Sequence, residues 1–203
     1  MICKNDILAG KILIHSENFS FFCFFMHFFP EKGNKKRLSN MEENFNSKLQ
    51  NFTPQNADKT IFYLGNPSNI LLNVGIEDKP LKLFGSKLLK KIKKHGFKAT
   101  DLMDLPNYIA DPIAIFEGGR PRSFSILTEI VIGNDNVVVI IEVGKDKDMK
   151  FNVITSIYGK AKEGIANWVG TGKLLYLNKE KAPNCLNLPA LIAGAASNQG
   201  LEP

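Results

Sequence analysis

The chain has 203 residues, a formal net charge of +6, 44% hydrophobic and 23% charged residues, and a mean hydropathy of −0.10. These values are typical of a globular protein and exclude a wholly disordered chain, a collagen-like repeat and a polytopic membrane protein. The three cysteines, Cys3, Cys23 and Cys185, form no CxxC pair, and the chain has three histidines. We therefore expect no disulfide framework, no zinc site and no multi-histidine metal centre.

Residues 1–40 differ in composition from the rest of the chain. Residues 19–29 hold seven phenylalanines in eleven positions, followed by Pro30 and a basic run. This apolar run is shorter than the ~20 residues that a membrane-spanning helix needs, and no small-residue cleavage site follows it. We expect translation to begin at Met41 and expect no stable membrane insertion. A membrane anchor or an unusual export signal are the alternatives.

The next part of the chain predicts a polar segment followed by short elements. Residues 41–60 are polar and predict a linker or loose helix, and residues 61–64 form a short apolar run. Pro67 and Gly75 are placed to begin and end a short helix. A short alternating strand, a lysine-rich helix and a second short helix are then predicted, over residues 80–84, 86–96 and 101–110.

After residue 111 the chain becomes rich in isoleucine and valine. Apolar runs separated by turn-like segments predict an antiparallel meander of about four strands, over residues 112–116, 124–132, 136–144 and 151–159. A helix, a final strand and a short helix near Asn178 follow. Helices that precede such strands predict an α+β fold with the helices packed on one face of a four-stranded antiparallel sheet. The expected domain spans residues 61–195, with a tail at 196–203.

His95 is the one histidine after residue 40, and it ends the lysine-rich helix. The helix C-terminus raises the pKa of the imidazole, whereas the neighbouring lysines lower it. A pKa near neutrality would suit general acid–base chemistry on a phosphodiester. A surface histidine beside a glycine helix cap is the structural alternative. The sequence has no P-loop, dinucleotide-binding, zinc-protease or α/β-hydrolase motif.

The strand over residues 151–160 carries the second candidate group. Strict alternation places one set of side chains on a single face: Asn152, Ile154, Ser156, Tyr158 and Lys160. Val153, Thr155 and Ile157 would then be buried on the other face. Hydroxyls and a cation on a sheet surface can bind phosphate oxygens, and the tyrosine ring can stack on a base. An ordinary solvent-facing surface is the alternative.

Three further polar residues interrupt the apolar runs. Thr128 and Glu129 are adjacent, so they point to opposite faces and at most one of them shares the face of Tyr158. Glu142 is a similar case in the next strand. For each of them taken singly, a sheet-edge or cross-strand polar residue without a chemical role is the favoured interpretation.

Short collinear segments, among them KKHGF, LPNYIADPIAIFE and NVITSIYGK, resemble the C-terminal domain of phage Mu F-type head-morphogenesis proteins over roughly residues 60–195. That domain is grouped with the barnase–EndoU–colicin–RelE-like nucleases. The resemblance implies a barnase/RelE-like α+β fold and metal-independent RNA cleavage without a cofactor, often as a toxin module. It implies a site made of His95, Ser156, Tyr158 and Lys160, with Thr128 as a further candidate.

The mechanism we expect is transesterification of RNA, in which the ribose 2′-OH attacks the adjacent phosphorus. His95 would act as acid or base, and Tyr158 or Glu129 would supply the second proton transfer. Lys160, with Lys94, would stabilise the phosphoryl charge. Ser156 and Thr128 would donate hydrogen bonds to the phosphate, and Lys94 and Lys91 would contact the RNA.

Such a toxin would act on RNA in the cytoplasm, after delivery by a phage particle or a secretion system. A cognate immunity protein is a further expected partner. A catalytically inactive phage structural or binding module is the first alternative. An ADP-ribosyltransferase-like toxin is the second. The sequence disfavours the second because the late glutamates, Glu163 and Glu180, fall in predicted helices.

Overall fold

The computed structural model describes residues 45–145 and 147–182, and seven strands in these ranges form one sheet in the order β1-β2-β6-β5-β4-β3-β7. The strands are β1 (Ile61–Gly65), β2 (Leu81–Phe84), β3 (Ala114–Glu117), β4 (Ser123–Ile132), β5 (Asp135–Glu142), β6 (Asn152–Lys160) and β7 (Leu174–Leu177). The described helices are α1 (residues 45–50), α2 (Asn69–Asn73), α3 (Gly85–His95), a 3₁₀ helix (Ala99–Leu102), α4 (Leu105–Ala110) and α5 (Lys162–Gly170).

The prediction of a four-stranded antiparallel sheet is wrong, because the described sheet has seven strands and is mixed. Strands β3 to β6 form the predicted antiparallel meander. Strands β2 and β1 extend it beyond β6, β7 extends it beyond β3, and β2 runs parallel to β6. The additional strands have four or five residues each, and two of them pair with strands distant in the chain. No hairpin turn joins β2 to β6 or β3 to β7, so the sequence carries no local sign of these two pairings.

The helices do not pack on one face of the sheet only, which corrects the second part of the predicted fold. The main apolar core lies on one face and includes Val139 and Ile141 of β5, packed with Leu88 of α3 and Ile109 of α4. A smaller cluster lies on the opposite face, where Ile165 of α5 packs with Leu127 and Val138. These two strand residues alternate along the chain with residues that point into the main core. Among the described helices, α5 therefore covers part of the second face.

Part of the polar stretch before β1 packs into the main core. Phe45 and Leu49 of α1 are buried, and the Phe45 ring centroid lies 5.5 Å from that of Phe62. The phenylalanine-rich segment, Met41 and the tail lie outside the described residues. No described helix has both the length and the apolar character that crossing a membrane requires.

Candidate functional site

A groove of about 550 Å³ opens on the face of the sheet opposite the main core. Ile140 and Glu142 line it, whereas the intervening Ile141 lies in the core. Among the residues that the structure describes, the groove wall is mainly basic and has five cationic side chains, Lys87, Lys91, Arg120, Lys145 and Lys173, against two acidic ones, Glu117 and Glu142. A cationic groove of this kind favours a polyanionic ligand.

Helix α3 supplies a basic stripe along the groove. The helix begins at Gly85, directly after β2, and contacts β6. Lys87, Lys91 and His95 follow each other at four-residue spacing, so they lie on one helical face. Leu88, one position away, is fully buried in the core and fixes the rotation of the helix. The lysines that line the groove and the imidazole therefore lie on the same side of α3.

The stripe ends where His95 meets Tyr158 of β6. The centroids of the two rings are 5.9 Å apart with an interplanar angle of 30°, which is a stacked arrangement. Tyr158 is half-buried and lines the groove, while His95 remains exposed. The structure thus brings together the imidazole and the phenol that the resemblance implied as site residues.

The protonation states of the two rings follow from their surroundings. The ring of His95 is exposed but partly desolvated by its neighbours, and this desolvation, followed by the positive charges of Lys94 and Lys91, lowers its pKa below 6.5. Burial raises the pKa of Tyr158 above 10.0. At neutral pH the pair therefore consists of a mainly neutral imidazole, which can accept a proton, and a phenol that still holds its proton.

Glu142 occupies the floor of the groove with its side chain 13% exposed. Burial alone would raise the pKa of this carboxyl. Hydrogen bonds donated by Lys145 and Thr155, together with the charges of Lys145 and Arg120, outweigh that effect and lower the pKa below 4.5. The Arg120 Nη1 atom lies 3.4 Å from Glu142 Oε1. The carboxylate is therefore ionised and holds two of the groove cations in place.

The turn between β3 and β4 presents Arg120 to the groove. The Ser123 hydroxyl donates to the Arg120 carbonyl over 2.7 Å and accepts from the Arg120 backbone N–H over 3.1 Å. A Cβ at Gly118 would lie 2.0 Å from Ser123 Oγ, so a side chain at this position would break the turn. Position 118 needs a glycine because the turn brings its backbone against Ser123.

A β-bulge in β6 aims two hydroxyls at the groove. Ile140 pairs with Ser156 and Ile141 pairs with Ile154, so Thr155 is an extra residue without a partner in the β5 register. Thr155 and Ser156 both line the groove, and Ile154 lies in the core with Ile157. The prediction from strict alternation, with Ile154 beside Ser156 and Thr155 on the opposite face, is wrong because the bulge shifts the period.

Other candidate residues lie away from the groove lining. Thr128 is fully buried, and its hydroxyl donates to the Val137 carbonyl over 2.8 Å. Glu129 forms an ion pair with Lys181 at 2.7 Å. The Lys160 ammonium lies 4.3 Å from the centroid of the Trp168 ring of α5.

Several groove residues were not singled out from the sequence as site residues. The sequence pattern assigns no site role to Lys87, Arg120, Lys145 or Thr155, and it favours a structural role for Glu142, although all five line the groove. For Lys87 the sequence does carry a signal, because its four-residue spacing from Lys91, and that of Lys91 from His95, places all three residues on one helical face. Arg120 and Lys145 come from loops whose approach to Glu142 depends on tertiary structure.

A comparison with family models bears on this same part of the chain. Residues 86–184 match the model of the phage MuF-C-terminal domain. The match begins in α3 and extends beyond β7, so it includes His95, Glu142 and Tyr158. It confirms the expected similarity over these residues. Residues 60–85 and 185–195 of the expected region lie outside the match, and no curated protein or solved structure matches the chain.

No group of three or more histidine, cysteine, aspartate or glutamate side chains within residues 45–145 and 147–182 is arranged to hold a metal ion. The described lining of the groove offers cations, hydroxyls, two carboxylates and the phenol of Tyr158, and the imidazole of His95 adjoins it by stacking on Tyr158.

Proposed function

We propose that this chain is an endoribonuclease that cleaves RNA in the groove by metal-independent transesterification. The observation that carries the proposal is the stacking of His95 on Tyr158 beside a groove whose described lining includes five basic side chains. The cations would bind the phosphate backbone, and the two rings would carry out the proton transfers.

In this mechanism His95 is the general base and Tyr158 the general acid. The neutral imidazole removes the proton of the ribose 2′-OH, and the oxygen attacks the adjacent phosphorus. The bond between phosphorus and the 5′ oxygen breaks, and the phenol gives its proton to that oxygen. The products are a 2′,3′-cyclic phosphate and a 5′-OH end, and proton exchange with water restores both rings.

The remaining groove residues stabilise the charge that gathers on the phosphoryl oxygens. Lys91 and Arg120 would supply positive charge, and the hydroxyls of Thr155 and Ser156 would donate hydrogen bonds. Glu142 is a weak base because of its lowered pKa. We assign it the role of a positioning residue that orients the neighbouring cations.

The test is to incubate the full chain with RNA in excess EDTA and to analyse the product ends. The expected products carry 2′,3′-cyclic phosphates and 5′-OH groups, and a substrate with 2′-deoxyribose at the cleaved position is expected to remain intact. Cleavage that leaves 3′-OH and 5′-phosphate ends, or that proceeds at the deoxy position, would contradict the mechanism.

The second candidate is a phage structural module that binds nucleic acid without cleaving it. The match to a phage domain and the same basic groove favour it. It predicts RNA binding that weakens with salt, and no products in the EDTA assay. RNA cleavage would instead make the chain toxic on induced expression, and a neighbouring gene that reverses the toxicity would encode the cognate immunity protein.

A further inference from the structure

An aromatic patch continues the groove face of the sheet toward β1. We define the aromatic patch as Tyr63, Phe84 and Phe151, together with Lys82. The ring centroids of Tyr63 and Phe151 are 5.7 Å apart. The Lys82 ammonium lies 4.4 Å from the Phe151 centroid and 4.8 Å from the Phe84 centroid. Tyr63 is 48% exposed, so its ring is accessible to a ligand.

The strand register makes the groove and the aromatic patch one surface. Glu142 pairs with Val153, Val153 with Lys82, and Lys82 with Tyr63. Side chains that are directly paired across strands point to the same face. The row from Glu142 to Tyr63 spans three inter-strand distances, or about 14 Å.

Lys87 lies between the two regions. It lines the groove, and its ammonium lies 5.8 Å from the centroid of the Phe84 ring. Burial, and then the charge of Lys145, lower the pKa of Lys87. A phosphate placed over Lys87 would relieve the repulsion between these ammonium groups while touching both the groove and the aromatic patch.

Rings interleaved with lysines suit one class of ligand. Single-stranded nucleic acid exposes bases that stack on aromatic side chains, and its phosphates bind the lysines between the rings. In a duplex the bases are paired and stacked inside the helix, so they cannot stack on aromatic side chains of the protein. The chemistry of the aromatic patch and its continuity with the cationic groove therefore select a single strand.

We infer that the aromatic patch stacks unpaired bases of an RNA strand whose neighbouring phosphate lies in the groove, and that the substrate is consequently single-stranded RNA. This inference rests on the proposed function for the role of the groove. It adds the substrate class and a base-stacking role for Tyr63, which belongs to an edge strand outside the segment that matches the MuF-C model.

The experiment measures the binding of a fluorescent single-stranded octaribonucleotide, and of its duplex, to the full chain in EDTA. The His95→Ala background is used to prevent turnover. We expect Tyr63→Ala and Tyr63→Leu to weaken single-strand binding by about 5- to 150-fold, the range for losing one stacked base, and Tyr63→Phe to retain it. The matched control is Leu175→Ala, since Leu175 is 45% exposed on the edge strand at the opposite end of the sheet. It should bind like the parent.

Equal single-strand binding by Tyr63→Ala and the parent would overturn the inference, and so would duplex binding as tight as that of the single strand. Self-association that depends on Tyr63 without any change in RNA binding would show instead that the aromatic patch is a contact between copies of the chain. The proposed function fails separately: a chain that binds single strands through Tyr63 but never cleaves them supports the stacking role and removes the catalytic one.

Discussion

The two faces of the sheet are built from the same strands but have different chemistry. In β5, Val139 and Ile141 point into the main core, whereas Ile140 and Glu142 line the groove. The core face is covered by α1, α3 and α4, and on the other face α5 covers the cluster around Leu127 and Val138. One face therefore carries most of the buried apolar area, and the other carries the charged and reactive groups.

This difference indicates that folding stability and chemistry are separable by substitution. Apolar burial on the core face dominates the free energy of folding. The groove face holds ionised and hydroxyl groups whose removal exposes little apolar surface. Variants on the core face should thus lose stability, and variants in the groove should lose activity while they remain folded.

The largest effect on stability is expected from Phe62→Ala. The Phe62 ring is fully buried, with its centroid 5.5 Å from those of Phe45 and Phe52. Removing it should lower the free energy of unfolding by about 3–5 kcal/mol, measured by urea denaturation. Tyr63→Ala, at the next position but exposed, is the control and should change it by less than about 1 kcal/mol. Similar losses for both variants would contradict the assignment of the faces.

Tyr158→Phe should leave the fold intact and slow RNA cleavage by about 100-fold, at the lower end of the range for a general acid. The ring and its stacking on His95 remain, and only the proton donor is lost. Single-turnover rates measure the effect, with Tyr176→Phe as the control outside the groove lining. A rate within twofold of wild type would remove the acid role from Tyr158.

Thr128 and Thr155 form a matched pair that sharpens the comparison. Thr128→Val should lower the free energy of unfolding by about 1–3 kcal/mol, because the Val137 carbonyl loses its donor in a buried site. Its cleavage rate per folded molecule should be unchanged. Thr155→Val should show the reverse pattern, with slower cleavage and smaller destabilisation. Loss of activity in folded Thr128→Val would instead support the role that the resemblance implied for Thr128.

The smallest effect is a shift of the pH profile. Lys94 lowers the pKa of His95, so Lys94→Ala should raise that pKa. The general base needs a neutral imidazole, so the acid limb of the kcat/KM profile should move to higher pH in the variant. NMR titration of the His95 ring measures the same shift directly, with Lys98→Ala as the control. A shift to lower pH would contradict the electrostatic account.

The sequence predicted the central strands but not the complete sheet. The Ile- and Val-rich runs between turn residues define β3 to β6 correctly as an antiparallel meander. The parallel pairing of β2 with β6 has no local signal, because about 70 residues separate Leu81 from its partner Asn152. The position of α5 on the second face depends in the same way on tertiary packing.

The candidate site was predictable only in part. The resemblance pointed to His95 and Tyr158, which the structure brings into contact. Local alternation failed at Thr155, since a bulge changes the period without a clear sequence mark. The polar residue Glu142 was visible within an apolar strand, but its role depends on cations that arrive from distant loops.

The most direct test of the central claim compares RNA cleavage by the wild-type chain, His95→Ala and Lys93→Ala in EDTA under single-turnover conditions. All three proteins should show the same unfolding curve, because His95 and Lys93 are both exposed on α3. We expect His95→Ala to lose about 100-fold or more of the cleavage rate, while Lys93→Ala stays within severalfold of wild type. Cleavage by His95→Ala at the wild-type rate would contradict the proposal that His95 is the general base beside the groove.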